Sequence, residues 1–210
     1  MSPRPATPSA EPAKAPARTR LLDAADDLFS AHGIAATGVD AVLRRAQVAP
    51  ATLYAHFPGK DHLVAAYLQR RHERWVAVWD EVLAGCGDDA DARALSVFDA
   101  LEALWARPDA AGTARGCAFL AAAVEVVDAQ HPAHRWLVAD TKLLVERLAE
   151  QASATGVADP GALAAELLAL YDGALAARAR RAATGDAPVP PPVRHLAAAA
   201  LIRHRDAARP

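Results

Sequence analysis

Residues 46–60 read Ala46-Gln47-Val48-Ala49-Pro50-Ala51-Thr52-Leu53-Tyr54-Ala55-His56-Phe57-Pro58-Gly59-Lys60. They spell one short helix between two breaks. Pro50 suits a first helical position, where its missing N–H would have no intrahelical partner anyway. Leu53 and Phe57 lie one turn apart and make a single apolar edge. Pro58-Gly59 stops that helix, and Lys60 opens another. With Leu53 and Phe57 turned inward, Pro50, Ala51, Thr52, Tyr54 and Ala55 are left outward or lateral. Upstream, Ala46-Gln47-Val48 is short enough for a tight turn after a preceding helix. In that helix Thr37 is a good N-cap oxygen, Asp40 approximates a capping box, and Val39, Val42, Leu43 and Ala46 carry the buried side. Helical periodicity first appears near residue 17. Leu21, Leu22, Ala25, Leu28 and Phe29 oppose Asp23, Asp26, Asp27 and Ser30, with Gly33 as the stop.

Three helices with a tight turn between the second and third form a helix-turn-helix pattern, whose third helix would lie in the DNA major groove. Thr52 and Tyr54 can donate to phosphate oxygens, and Thr52 can also touch a base edge. Lys60, at a helix start, can hold a phosphate together with the backbone N–H groups there. A generic pattern of this kind also fits a plain three-helix cap. The particular residues favour the first reading: Leu22-Asp23-Ala24-Ala25, Leu28-Phe29, His32-Gly33, Thr37, Val39-Asp40, Arg45-Ala46, Val48 and Thr52 through Lys60. With these, Thr19 to Leu63 resembles the DNA-binding domain of the tetracycline-repressor (TetR) family of bacterial transcriptional regulators. The resemblance implies that Thr37, Thr52, Tyr54, His56 and Lys60 touch DNA backbone or bases. Arg20, Arg45, Pro50 and Ala51 complete the expected DNA-facing set. It also implies a small core of Leu22, Ala25, Phe29, Val39, Val42, Leu53 and Phe57. Three positions depart from the family pattern. Gln47 stands where a turn glycine is expected and must tolerate a positive φ, Ala49 replaces a capping serine, and Pro50 replaces a polar residue. The third helix is thus short of polar base-reading groups, which leaves room for shape readout of the operator.

Composition agrees with a helical chain. Of 210 residues, 53% are hydrophobic and 23% charged, enough for a sizeable core. There are 56 alanines but two isoleucines, Ile34 and Ile202, a balance that argues against an all-β fold. The formal net charge of −2 would not by itself suggest a nucleic-acid partner. No apolar run approaches the ~18 residues of a membrane span, and the first residues lack the apolar stretch of a secretory signal. Two cysteines, Cys86 and Cys117, make no disulfide framework. A cytoplasmic protein without cofactor or membrane partner is the expectation.

Beyond the head, residues 1–16 hold five of the fifteen prolines and read as a disordered tail. Its Arg4 and Lys14, with Arg18 and Arg20 beyond, either reach phosphates or merely solvate the tail. Residues 17–63 form the DNA-binding domain and 64–210 a helical domain for effector binding and dimerisation. From Lys60 to about Ala84 runs one long helix with Leu63, Tyr67, Arg71, Trp75, Val78, Trp79 and Val82 on a stripe, spanning roughly 35–40 Å. Further helices are expected near 91–106, 115–128, 133–154, 160–183 and 193–207. Asp159-Pro160 supplies a cap followed by an N1 proline, and Pro188 to Pro192 a stiff connector.

The helix at 160–183 is apolar almost all round, through Leu163, Leu167, Leu168, Leu170 and Leu175 with many alanines. Such a helix needs partners on more than one side, and Leu196, Ala199, Ala200, Leu201 and Ile202 give a second apolar surface. With the family resemblance, the helices at about 160–183 and 193–207 imply a homodimer matched to a two-fold operator. For a small organic effector the candidate lining is Tyr67, Arg71, Trp75, Trp79, Phe98, Leu101, Trp105, Cys117, Leu120, Val124, Glu125, Trp136, Asp140 and Tyr171. Aromatics at this spacing also fit a plain core. His131 and His134 have no nearby third ligand, so the sequence implies no metal. No nucleophile elbow, phosphate-binding glycine loop or His-Glu-x-x-His motif occurs, so no enzyme is expected. The sequence thus implies an all-α, ligand-responsive regulator, most simply a homodimeric repressor. Two alternatives stay open: a dimeric ligand-binding or protein-interaction module whose head no longer binds DNA, and a regulator switched through the Cys117 thiol.

Overall fold

A computed structural model describes residues 15–107, 117–184 and 193–207 of the chain. All regular structure among them is helical: α1 (Ala17–His32), α2 (Val39–Ala46), α3 (Pro50–His56), α4 (Lys60–Gly85), α5 (Ala90–Ala106), α6 (Ala118–Glu125), α7 (His134–Ala154), α8 (Pro160–Thr184) and α9 (Val193–Asp206). The all-α architecture with an N-terminal helix-turn-helix is the one expected. The proline-rich residues 1–14, the proline run at 188–192, and the Arg115-Gly116 pair that precedes Cys117 lie outside the described residues.

The head is closed by Leu21, Leu22, Ala25 and Phe29 of α1, Val42, Leu43 and Ala46 of α2, and Leu53 and Phe57 around α3, all buried. Leu53, with no exposed surface, is the peg that seats the seven-residue α3. The turn before α3 resolves the question raised by the missing glycine. Gln47 adopts a left-handed conformation (φ 53°, ψ 52°). Its N–H donates to Arg44 O (3.3 Å) and the Val48 N–H to Leu43 O (3.2 Å), a Schellman arrangement that satisfies two carbonyls at the end of α2. The left-handed well costs a side-chain-bearing residue about 1 kcal/mol. Gln47→Gly is therefore expected to raise the unfolding free energy by roughly that amount, as read from urea denaturation. Unchanged stability would show that Gln47 bears no strain. Ala49 gives α3 no side-chain cap, as the sequence implied.

Thr37 corrects the capping expectation. The N-cap of α2 is Gly38, without a side-chain cap. Thr37 is buried, and its hydroxyl donates backward to Gly33 O (2.7 Å), with Leu28 O at 3.3 Å. A buried hydroxyl needs an internal acceptor, and the carbonyl of Gly33, just past the end of α1, supplies it.

The 26-residue α4 is about 39 Å long and carries two cores. Leu63, Val64, Tyr67 and Leu68 join the head cluster, whereas Trp75, Val78 and Trp79 join a second cluster with Val97 and Phe98 of α5, Leu148 of α7, Leu163 and Leu167 of α8 and Leu201 of α9. Between the two lies a cationic clamp on α1. Arg70 donates to Asp23 (2.6 Å) and Leu22 O (2.7 Å), and Arg71 to Asp26 and Ser30 (3.0 Å). Asp89 caps α5 by accepting from Asp91 N and Ala92 N (both 3.0 Å), and Asp159 caps α8 through Ala162 N (2.9 Å). α6 ends at Glu125, earlier than the 128 expected from the sequence. Val126 is drawn into the head core, and Asp128 starts a turn by accepting from Gln130 N (2.8 Å).

Candidate nucleic-acid interface and internal cavity

α3 turns Leu53 inward and leaves Pro50, Ala51, Tyr54 and His56 exposed, with Thr52 half-buried beside them. Tyr54 is 58% exposed, an unusual amount for a large ring on a helix with a packed inner side. Lys60, at the first position of α4, donates to Ala35 O (3.3 Å). Arg45 pairs with Asp27 at 2.7 Å, both well exposed, so the pair is weakly held and can exchange for a phosphate. Arg20 is half-buried in a shallow hollow with Asp23, Asp27, Arg45 and Gln47. Thr37 is the exception in the expected set. Its side chain is turned into the protein and its hydroxyl engaged, so it offers DNA no side-chain contact in this conformation.

A partly open cavity of about 60 Å³ lies between α4, α5, α6, α7 and α8. Seven of the residues expected around an effector line it: Arg71, Trp75, Leu101, Trp105, Cys117, Asp140 and Tyr171. The sequence reading missed Arg74, Leu104, Ala118, Phe119 and Leu175. Three of these sit one turn from residues already named, Arg74 from Arg71, Leu104 from Leu101 and Leu175 from Tyr171, and that spacing is the signal that could have found them.

The other expected lining residues lie elsewhere. Tyr67 packs edge-on to Phe29 (5.3 Å) in the head core, and Phe98 is core. Trp79 is fully buried, donating Nε1–H to Ser96 Oγ (2.9 Å). Trp136 packs against the head cluster and against the His72 ring (5.8 Å). Leu120 and Val124 point to solvent. Glu125 reaches away from the cavity and accepts from the backbone N–H groups of Ile34 (3.1 Å) and Ala35.

Burial shifts the polar groups of the cavity. Burial raises the Asp140 carboxyl, partly offset by the hydrogen bond and charge of His72, whose Nδ1 is 3.1 Å away. Burial raises the Tyr171 phenol well above its usual range, so it stays neutral. For Cys117, burial pushes the thiol up to about 11, outweighing the nearby Arg71. That is opposite to the lowered value a switch through this thiol would need. Oxidant-sensing cysteines are reactive as thiolates, and a thiol this protonated at neutral pH lacks that character. His131 does not pair with His134. Its Nε2 lies 3.4 Å from Asp61, and among the described residues no three metal-binding side chains converge.

Comparison with known proteins now decides the family. Residues 21–67 match the model for bacterial regulatory proteins of the tetR family. Across nearly the whole chain the fold is that of a TetR-family transcriptional regulator from Streptomyces coelicolor, with a TM-score of 0.74 and 31% identity over 91% of this chain and 95% of that one. The chain belongs to the TetR family. A second family member, from Streptomyces avermitilis, superposes with a TM-score of 0.66 at 30% identity, covering 92% of this chain and 98% of that one. Similarity to curated proteins covers shorter stretches. The transcriptional regulator UidR of Escherichia coli is 36% identical over 70 residues, 33% of this chain and 36% of UidR. The transcriptional repressor KstR of Rhodococcus jostii is 47% identical over 57 residues, 27% of each chain. The match thus spans about a third of the curated relatives' length or less. In this TetR-family chain, among the described residues, no helix is long and apolar enough to cross a membrane.

Proposed function

We propose that this chain is a homodimeric transcriptional repressor, released from a pseudo-palindromic DNA operator when a small, largely apolar molecule binds its cavity. The observation that carries the reading is α3. A helix seated by one buried leucine presents Tyr54 outward, six residues before Lys60 opens α4, on a head that belongs to a family of DNA-binding regulators. Residues 17–63 form the DNA-binding part and 64–210 the effector-binding and dimerising part. Two copies of α3 enter successive major grooves, about 34–36 Å apart. Similarity to KstR, named a repressor, supports repression over activation.

Dimerisation is supported by the outer faces of α8 and α9. Leu163, Leu167 and Leu175 of α8 point into their own chain, while small residues such as Ala165, Ala169 and Gly173 stay exposed. On α9, Leu196 (43%) and Ile202 (58%) are exposed. Small and aliphatic side chains on paired helix faces suit close helix–helix packing with a second copy.

The effector reading rests on an aromatic and aliphatic wall with Arg71, Asp140 and Tyr171 converging on it. Pockets that hold organic ligands usually measure about 300–1,000 Å³, so this cavity of about 60 Å³ must widen to admit one. The coupling needed to shift the spacing of the two heads is on the order of 1–3 kcal/mol.

The test is fluorescence anisotropy with a duplex from upstream of the chain's own gene, or one selected from a random library, at two salt concentrations. Tight, salt-sensitive binding that survives excess random DNA is expected. Tyr54→Phe should weaken it about fivefold by losing one hydrogen bond to phosphate. Lys60→Ala should weaken it across sequences and reduce the salt slope by about one. Equal affinity and slope in both variants would remove these residues from the interface. Failure of the wild type to select any duplex would favour the alternative of a ligand-binding module with a degenerate head.

A further inference from the structure

The backbone of the turn between α1 and α2 is held from outside the head by the side chain of Glu125. Glu125, the last residue of α6, lies some 90 positions away in sequence, and its carboxylate accepts from the N–H groups of Ile34 (3.1 Å) and Ala35. Two backbone donors on one carboxylate make a charge-assisted pair, the stronger class of hydrogen bond. The seat is shaped for it. Gly33 has φ +90°, and a Cβ there would lie 3.1 Å from Glu125 Oε1, so the position suits glycine for its backbone and for the space. The other side of the same turn is tied to the DNA-facing end of the head. The Ala35 carbonyl accepts from Lys60 Nζ at 3.3 Å, and Thr37 closes the turn on Gly33 O at 2.7 Å.

We propose that Glu125 is a positioning residue for DNA binding: its carboxylate fixes the turn at residues 33–37, and through the Ala35 carbonyl it sets where the Lys60 ammonium stands. This rests on the reading of the head as DNA-binding. It makes the head's geometry depend on α6, a short helix that begins in the cavity wall at Ala118 and Phe119. Glu125 itself contacts neither DNA-facing side chains nor the cavity. Its carboxylate is on the outside of the protein, and its anchor is two amide protons.

The test uses the full chain in wild-type, Glu125→Gln and Glu125→Ala forms, with two readouts. One is hydrogen exchange at the Ile34 and Ala35 amides. The other is affinity for a duplex selected by the wild type from a random library, with the thermal midpoint measured alongside. Glu125→Ala is expected to speed exchange at these two amides about tenfold, leaving α1 protection unchanged. It should weaken duplex binding about fivefold at a thermal midpoint within a few degrees of wild type. Glu125→Gln, which keeps one acceptor oxygen, should recover part of both losses. Unchanged exchange in Glu125→Ala would overturn the anchor. Faster exchange with wild-type affinity would overturn its role in positioning. If the wild type selects no duplex, the DNA-binding reading falls and this proposal with it, whatever the exchange data show about the anchor.

Discussion

Replacing Trp79 by alanine should lower the unfolding free energy by about 3–5 kcal/mol, the largest single loss expected in the chain. Trp79 is the largest side chain with no exposed surface. Its ring lies tilted against Trp75 (5.4 Å) on one side and carries the Arg147 guanidinium 4.7 Å from its centroid. Its Nε1–H donates to Ser96 Oγ (2.9 Å), and that hydroxyl donates in turn to Arg93 O (2.6 Å). Truncation therefore removes apolar burial, leaves a void among α4, α5 and α7, and strips Arg147 of its ring. Trp79→Phe separates these effects. It keeps most of the ring area, and Ser96 keeps its own acceptor, so the loss should fall to about 1–2 kcal/mol. Urea denaturation followed by far-ultraviolet circular dichroism measures both without relying on tryptophan fluorescence. A Trp79→Ala loss below about 1 kcal/mol would mean that the site collapses around the gap or that the ring is not in the core.

The second large effect is expected at Arg71. Its side chain is 9% exposed and donates through Nε (3.1 Å) and Nη2 to Asp26, itself 17% exposed, and through Nη2 to Ser30. It also lies over the Tyr67 ring at 5.4 Å. Removing one member of such a pair strands the other, which costs about 3–5 kcal/mol in a dry site. Arg70 Nη2 remains 3.3 Å from Asp26, so Arg71→Ala should fall at the low end, about 3 kcal/mol. The double change Arg71→Met with Asp26→Leu replaces the pair by apolar groups of similar reach and should recover most of that loss. If the double variant is no more stable than the single one, the pair is not the source of the effect. Because Arg71 also lines the cavity, both variants also test the proposed effector site.

The interior of the head was legible in the sequence because its signals are local. Pro50 at the first position of α3 needs only the neighbouring residues to be read. The same holds for the left-handed turn at Gln47 and, outside the head, for the Asp159 cap of α8. Thr37 shows where that approach ends. Capping rules look three residues forward, but burial decided the matter, and the acceptor that satisfied the hydroxyl lay behind it at the end of α1. α6 shows a second limit. Its sequence, Ala118 to Glu125, is apolar at seven of eight positions, so hydrophobic periodicity cannot say which face is inside. The face with Leu120 and Val124 was expected to line a pocket. Packing instead buried Ala122 and turned Leu120 and Val124 to solvent.

What the sequence determined by itself is the helical fold, its breaks, and a head whose residue pattern is that of the TetR family. Those properties follow from backbone propensities and from spacings within a few residues, which a linear chain carries explicitly. The tertiary structure alone decided which aromatics are core and which face the cavity, how Arg70 and Arg71 tie α1 to α4, and that Glu125 reaches the turn at Ile34 and Ala35. Each of these depends on the rotation of a helix about its axis and on partners tens of residues away. Both are set by how the whole set of faces packs, a quantity no local window contains.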